Sequence, residues 1–112
     1  MEWKIEDLLS FSENVIYRCT IEDEDEDNKY QFILTNHRVI WFDNESVQSV
    51  LIRYIAEYGK VVGEPSNCDI GTGEYCVYFC FVNDTPYRIW FYSEDVWNEF
   101  YDELSRIILE GA

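Results

Sequence analysis

The chain has 112 residues, of which 23 are acidic and 8 are basic, so its formal net charge is −15. A field of this sign repels nucleic acid and anionic lipid headgroups, and direct binding to DNA, RNA or a membrane surface is therefore not expected. An apolar fraction of 47% and an aromatic fraction of 18% exclude a disordered chain and predict one folded domain, residues 1–112.

The first half of the chain predicts a short lead-in followed by strands. Residues 3–11 place apolar side chains near helical spacing, which indicates a short helix or turn. Residues 14–21 are rich in β-branched and aromatic types and predict a strand. In residues 29–43, two apolar runs flank Asn36 and His37. Because asparagine tolerates a positive φ, this pair predicts a tight hairpin turn.

The second half predicts a further strand or bend at 47–55, a strand at 56–63 and a loop at 63–73. Residues 74–82 and 86–92 predict a second hairpin, and the first of its strands has so few polar residues that both of its faces should be covered. Ser93 is a suitable N-cap for a helix at about 94–109 with one apolar stripe, which must cover a sheet. The predicted fold class is α+β, with antiparallel strands and a C-terminal amphipathic helix.

Two segments resemble bacterial pleckstrin-homology-like (PH-like) and GRAM-like domains. The stretch LLSFSENVIYRC resembles their "L-x-x-x-E-x-V" opening, with Glu13 and Val15 in the matching places. The stretch YQFILTNHRVIWFD resembles their first hairpin, with matches at Phe32, Leu34, Thr35, Arg38, Ile40 and Asp43. The resemblance implies a bent antiparallel sheet or barrel with the helix at one open end. It departs between residues 44 and 75, where the number of strands is left open.

Such a resemblance implies a binding scaffold rather than a reaction. PH-like domains bind phosphoinositides, peptides or other proteins, and some bacterial members assemble into rings. Lipid-binding members hold phosphate with lysine and arginine in the first inter-strand loop. Here six consecutive acids occupy that position, and they would repel a phosphate. The acids are Glu22, Asp23, Glu24, Asp25, Glu26 and Asp27.

The acidic run is the principal candidate site. Together with Asp43 and Glu45, it predicts a surface that binds a protein partner, including a basic nucleic-acid-binding protein. The alternative is a solvated loop that only keeps the protein soluble. The run lacks the glycine of a tuned calcium loop, so no metal site is predicted.

Two functions from different classes follow from these observations. One is a non-enzymatic PH-like interaction module with a strongly acidic surface, which also self-associates through sheet edges or aromatic side chains. The other is a small acidic inhibitor, of the phage anti-defence or immunity type, that mimics nucleic acid and occupies a basic groove of its target. A complex with a basic protein that duplex DNA competes off would favour the second function.

Catalysis and cofactor binding have little support in the sequence. His37 is the only histidine and lies in a predicted turn, and no nucleophile elbow or glycine-rich phosphate loop is present. The spacing of the four cysteines matches no zinc or redox pattern, so they are predicted to be reduced, with Cys68 the most exposed. No apolar run could span a membrane and the N-terminus does not resemble a signal peptide, so we expect no cofactor, no catalytic residue and a cytoplasmic location.

Overall fold

Antiparallel strands and two helices make up the fold within residues 3–22 and 29–111, which the computed structural model describes. The first four strands form one meander and the last three form a second, with a 3₁₀ turn at Ile52–Tyr54 between them. The elements are α1 (Ile5–Leu8), β1 (Val15–Glu22), β2 (Lys29–Thr35), β3 (Arg38–Phe42), β4 (Val47–Leu51), β5 (Glu57–Val62), β6 (Tyr75–Cys80), β7 (Tyr87–Phe91) and α2 (Glu94–Leu109).

The predicted α+β class, with antiparallel strands and a C-terminal helix, is confirmed. Residues 44–75, which the sequence left open, contribute β4 and β5. Of the two predicted forms, a bent sheet and a closed barrel, the structure has the first: within the described residues the strands form two separate bent sheets.

The main core lies between the two sheets and α2. Phe100 is fully buried at its centre, with the rings of Tyr17, Phe32 and Phe91 between 5.2 and 6.4 Å from its own. The indole Nε1 of Trp97 donates a hydrogen bond of 2.8 Å to a backbone carbonyl of β6, so this large side chain is buried without an unpaired polar atom. The predicted cap is also present, since Ser93 Oγ accepts the N–H of Val96 at 3.2 Å.

A second cluster covers the opposite face of the four-stranded sheet. Here Ile33, Ile40 and Phe42 are buried beneath α1 and its neighbours, which contribute Trp3, Ile5, Leu8 and Leu9. Adjacent residues of a strand point to opposite faces, so Trp41 joins the main core and Phe42 the second cluster. On this sheet, α2 and the N-terminal segment therefore cover aromatic side chains on both faces.

The first hairpin has the predicted turn, but a different residue from the predicted one stabilises it. Asn36 does not take a positive φ; among described residues other than glycine, only Asn83 does. Thr35 Oγ1 accepts the backbone N–H groups of His37 at 3.0 Å and Arg38 at 2.8 Å, so the threonine hydroxyl closes the turn. The Asn36 side chain instead links the turn to the N-terminal segment, since its Oδ1 accepts the N–H of Asn14 at 2.8 Å.

A buried ion pair connects the hairpin to the same segment. Arg38 Nη2 lies 2.5 Å from Oε1 of Glu13 and donates to the carbonyl of Leu8 at 2.6 Å. Thr35 Oγ1 donates to Glu13 Oε2 at 2.7 Å, and Ser10 N donates to Oε1 at 2.9 Å. Burial raises the pKa of Glu13, but these hydrogen bonds outweigh it and lower the pKa to about 2. Glu13, Thr35 and Arg38, all matched in the family resemblance, therefore form one cluster.

Replacing Glu13 with Gln should lower the free energy of unfolding by roughly 3 kcal/mol at pH 7, because Arg38 keeps a partly buried charge without its partner. Folding lowers the pKa of Glu13 from 4.5 to about 2. The carboxylate therefore stabilises the fold fully above the unfolded pKa, and this contribution is lost as the pH falls through the folded pKa. Urea denaturation of the natural chain and of the Glu13→Gln variant, at pH 7 and at pH 3, measures the difference between their free energies of unfolding. This difference should be smaller at pH 3. A difference that is equal at both pH values would contradict this role for the ion pair.

Replacing Thr35 with Val should lower the free energy of unfolding by about 2 kcal/mol, because the shape of the side chain is kept but the turn N–H groups and Glu13 lose their hydroxyl partner. Thr35→Ser is the matched control, since it keeps the hydroxyl and loses one buried methyl, at a cost of about 1 kcal/mol. Urea denaturation of the two variants compares them. A valine variant as stable as the serine variant would show that the hydroxyl does not hold the turn.

Candidate functional site

The acidic run begins and ends at the same end of the four-stranded sheet as the β3–β4 turn. In an antiparallel meander, alternate connections leave from the same end of the sheet. Glu22 pairs with Lys29 across β1 and β2, and Phe42 pairs with Val47 across β3 and β4. Asp23–Asp27 lie outside the described residues, as does the side chain of Glu22. The fold thus brings the two ends of the run to the edge that carries Asp43 and Glu45.

The β6–β7 connection reaches the same end. The rings of Trp41 on β3 and Tyr87 on β7 are 5.5 Å apart, and a groove of about 430 Å³ opens beside them. Tyr30 also lines this groove, as do Asp69 and the exposed Asp84. We call this region the acidic end; its described acids are Asp43, Glu45, Asp69 and Asp84, and the acidic run connects the two strands whose ends lie there.

The 63–73 loop is tied to the free edge of β7. Ile70 N donates to the carbonyl of Arg88 at 2.9 Å, and the carbonyl of Ile70 accepts the N–H of Trp90 at 2.8 Å. Gly73 is required here, because a Cβ at this position would collide with the backbone of Phe91. One wall of the groove is therefore an ordered loop.

Asp69 stabilises this loop. Its Oδ2 accepts the N–H of Ser66 at 3.0 Å and the indole N–H of Trp90 at 2.8 Å, and its Oδ1 lies 4.0 Å from Nη1 of Arg88. Burial raises the pKa of Asp69, but these hydrogen bonds and the arginine outweigh it and hold the pKa below its usual value. Asp69 is thus a negative charge whose lone pairs are largely in use.

The two acids predicted outside the run have different roles. Asp43 Oδ1 accepts the backbone N–H groups of Glu45 at 2.8 Å and Ser46 at 2.9 Å, and these bonds lower the pKa of Asp43. Asp43 therefore shapes the turn, whereas the exposed Glu45 directs its charge to solvent.

Sequence reasoning missed Asp69 and Asp84. The Asn83-Asp84-Thr85 turn was recognised, but only the contact between Trp41 and Tyr87 shows which end of the molecule it joins.

Charge is concentrated at the acidic end. Asp43, Glu45, Asp69 and Asp84 lie there with the basic residues Lys29 and Arg88, and the sequence adds the six acids of the run between β1 and β2. Clustering of this kind produces a local field far stronger than that of the same charges spread over the surface.

The acids of α2 form a separate surface. Glu99 accepts the hydroxyl of Tyr17 at 2.8 Å, and Tyr17 precedes Glu22 by five residues of strand, about 16 Å. Glu103 lies on the same side, because it too raises the pKa of Tyr17, after burial and Glu99. These two helix acids therefore lie near Tyr17 and not at the strand residue where the acidic run begins.

The described residues contain neither a metal-binding cluster nor a disulfide bond. No three histidine, cysteine, aspartate or glutamate side chains in residues 3–22 and 29–111 could hold a metal ion together. The four cysteines are unpaired, and burial raises the pKa of Cys19 to about 12 and of Cys76 to about 11. Cys68 is exposed, as predicted. Neither helix of the described chain has the length and apolar character needed to cross a membrane.

Replacing Asp43 with Ala should lower the free energy of unfolding by about 1 kcal/mol, because two turn N–H groups lose their acceptor. Glu45→Ala removes the same charge two residues away and should change stability by less than about 0.5 kcal/mol. Thermal unfolding of both variants at neutral pH measures the contrast. Equal melting temperatures would show that the Asp43 carboxylate does not hold the turn.

No family model matches the sequence, and a search of curated proteins finds no match.

Proposed function

We propose that this protein is a non-enzymatic, PH-like interaction module whose acidic end binds a basic surface of a partner protein. The observation that carries the proposal is the convergence of three connections. The ends of the acidic run and the turn at Asp43 and Glu45 lie at the same end of the four-stranded sheet, and the loop with Asp84 lines a groove there beside Trp41.

The chemistry of the groove fits lysine and arginine side chains. The half-buried rings of Tyr30 and Tyr87 line it, and aromatic faces attract cations. The exposed carboxylates of Glu45 and Asp84 can accept charge-assisted hydrogen bonds. A basic segment can thus lay its alkyl stems on the rings and its charged groups against the acids.

The arrangement of the sheets supports the PH-like part of the proposal. Four strands, then three, then a C-terminal helix are consistent with the bent sheet that the family resemblance implies. At the position where lipid-binding members carry cations, this chain carries the acidic run. A cationic protein is therefore favoured over a phosphoinositide as the ligand.

The test is binding of a fluorescent arginine- and lysine-rich peptide, followed by anisotropy at about 0.15 M salt. One variant neutralises residues 22–27, with Gln for Glu and Asn for Asp. The matched control neutralises three glutamates and three aspartates that are exposed elsewhere, namely Glu6, Asp7, Glu57, Asp95, Asp102 and Glu110. We expect at least a tenfold loss of affinity in the first variant and about twofold in the control, because charges more than about 8 Å away are screened.

Equal losses in both variants would contradict the proposal, since the peptide would then respond only to net charge.

A second measurement separates the two predicted functions. Partners captured from native lysate are challenged with duplex DNA at fixed salt. A partner that DNA displaces supports the nucleic-acid mimic, and one that DNA leaves bound supports the interaction module. Unchanged melting temperatures establish that neither variant is misfolded.

A further inference from the structure

The opposite end of the four-stranded sheet carries a cavity that lies apart from the acidic end. Its volume is about 380 Å³. Small-molecule sites in proteins usually have volumes of about 300–1,000 Å³, so this cavity is large enough for a small ligand. Its walls come from the N-terminal segment, the first hairpin turn and the residues around the 3₁₀ turn, namely Ser10, Glu13, His37, Arg38, Leu51 and Arg53.

Hydrogen bonds hold the walls of this cavity in place. Ile52 is buried and its N–H donates to the carbonyl of His37 at 2.9 Å, which ties the 3₁₀ turn to the hairpin turn. The guanidinium of Arg38 donates to Glu13 and to the carbonyl of Leu8, which ties the hairpin to the N-terminal segment. Arg38 therefore shapes the wall, and Glu13 balances its charge.

Arg53 supplies a cation that no carboxylate balances in the part of the chain that the structure describes. Its guanidinium lies 4.8 Å from the ring centre of Tyr54 and donates to the hydroxyl of that residue at 3.1 Å. These contacts restrain a long side chain, so less conformational entropy is lost when its other N–H groups bind a ligand. A guanidinium presents these groups in a planar fork that matches the two oxygens of a carboxylate.

We propose that this cavity binds a small organic acid, in which one carboxylate is attached to an apolar group. Arg53 binds the carboxylate through two N–H groups, and the side chains of Ser10 and His37 can donate further hydrogen bonds. Leu51 and Tyr54 keep 39% and 58% of their surface exposed beside the cavity, and the apolar group of the ligand covers part of this surface.

The charge of the cavity favours a ligand with a single negative charge. Burial raises the pKa of Glu13, but its hydrogen bonds lower the pKa to about 2, so Glu13 is ionised at neutral pH and balances Arg38. The charge of Arg53 is then the one that a ligand neutralises. A phosphate monoester carries about −1.5 to −2 at pH 7 and would leave excess negative charge beside Glu13.

The net charge of −15 does not prevent an anion from binding here. The acidic end lies at the other end of β1, which has eight residues and is therefore about 25 Å long. This distance is roughly three times the Debye length of about 8 Å at physiological salt. Repulsion from the acidic end is therefore largely screened at the cavity.

The test is a titration of the isotope-labelled protein with phenylacetate, followed by NMR at neutral pH and about 0.15 M salt. We expect saturable shifts at the backbone amides of His37, Leu51 and Arg53. Phenylacetamide has the same shape without the charge and should bind at least tenfold more weakly, and phenyl phosphate should bind no more tightly than phenylacetate. Absence of saturable shifts, equal binding of the amide or tighter binding of the phosphate would each overturn the proposal.

Two variants of the cavity test the roles of its residues. Arg53→Gln should lower the affinity for phenylacetate at least tenfold. Arg18→Gln is the matched control with the same change of net charge, since Arg18 is exposed in the middle of β1, and it should bind within twofold of the natural chain. Leu51→Ser should lower the affinity at least threefold, because the apolar group of the ligand loses its contact. Equal losses in the two arginine variants, or full affinity in Leu51→Ser, would contradict the proposed site.

The end of a peptide chain carries the same chemical groups as a small acid. A tripeptide that ends in phenylalanine with a free carboxylate tests this source. It should bind no more tightly than phenylacetate, because ordering the rest of its backbone costs conformational entropy. Binding of the tripeptide that is tenfold tighter than that of phenylacetate would overturn the assignment to a small acid.

Discussion

The ion pair between Glu13 and Arg38 is the interaction on which the rest of the fold depends. Through Leu8 and Ser10 it fixes the N-terminal segment, and through the hydroxyl of Thr35 it fixes the first hairpin. That segment covers the second apolar cluster, so the ion pair also determines whether one face of the sheet is buried. A partly buried pair of charges adds stability only when its remaining donors and acceptors are satisfied, and the backbone and hydroxyl contacts meet that condition here.

Covering both faces of the four-stranded sheet leaves mainly its ends and edges for recognition. The inner face packs against α2 and the second sheet, and the outer face against residues around α1. Polar and charged side chains that could not be buried are therefore found in the connections at either end. The position of the acidic end follows from how an aromatic-rich chain of this length buries its apolar side chains.

Local pattern was enough to predict most strands, both hairpins and the helix with its Ser93 cap, because each depends on side chains close together in sequence. The reason for the first turn was wrong, since asparagine and threonine both occur in turns and only the structure shows which one accepts the N–H groups. The Glu13 cluster and the groove could not be predicted from the sequence. Glu13 and Arg38 are 25 residues apart, and Trp41 and Tyr87 meet only once the two sheets pack.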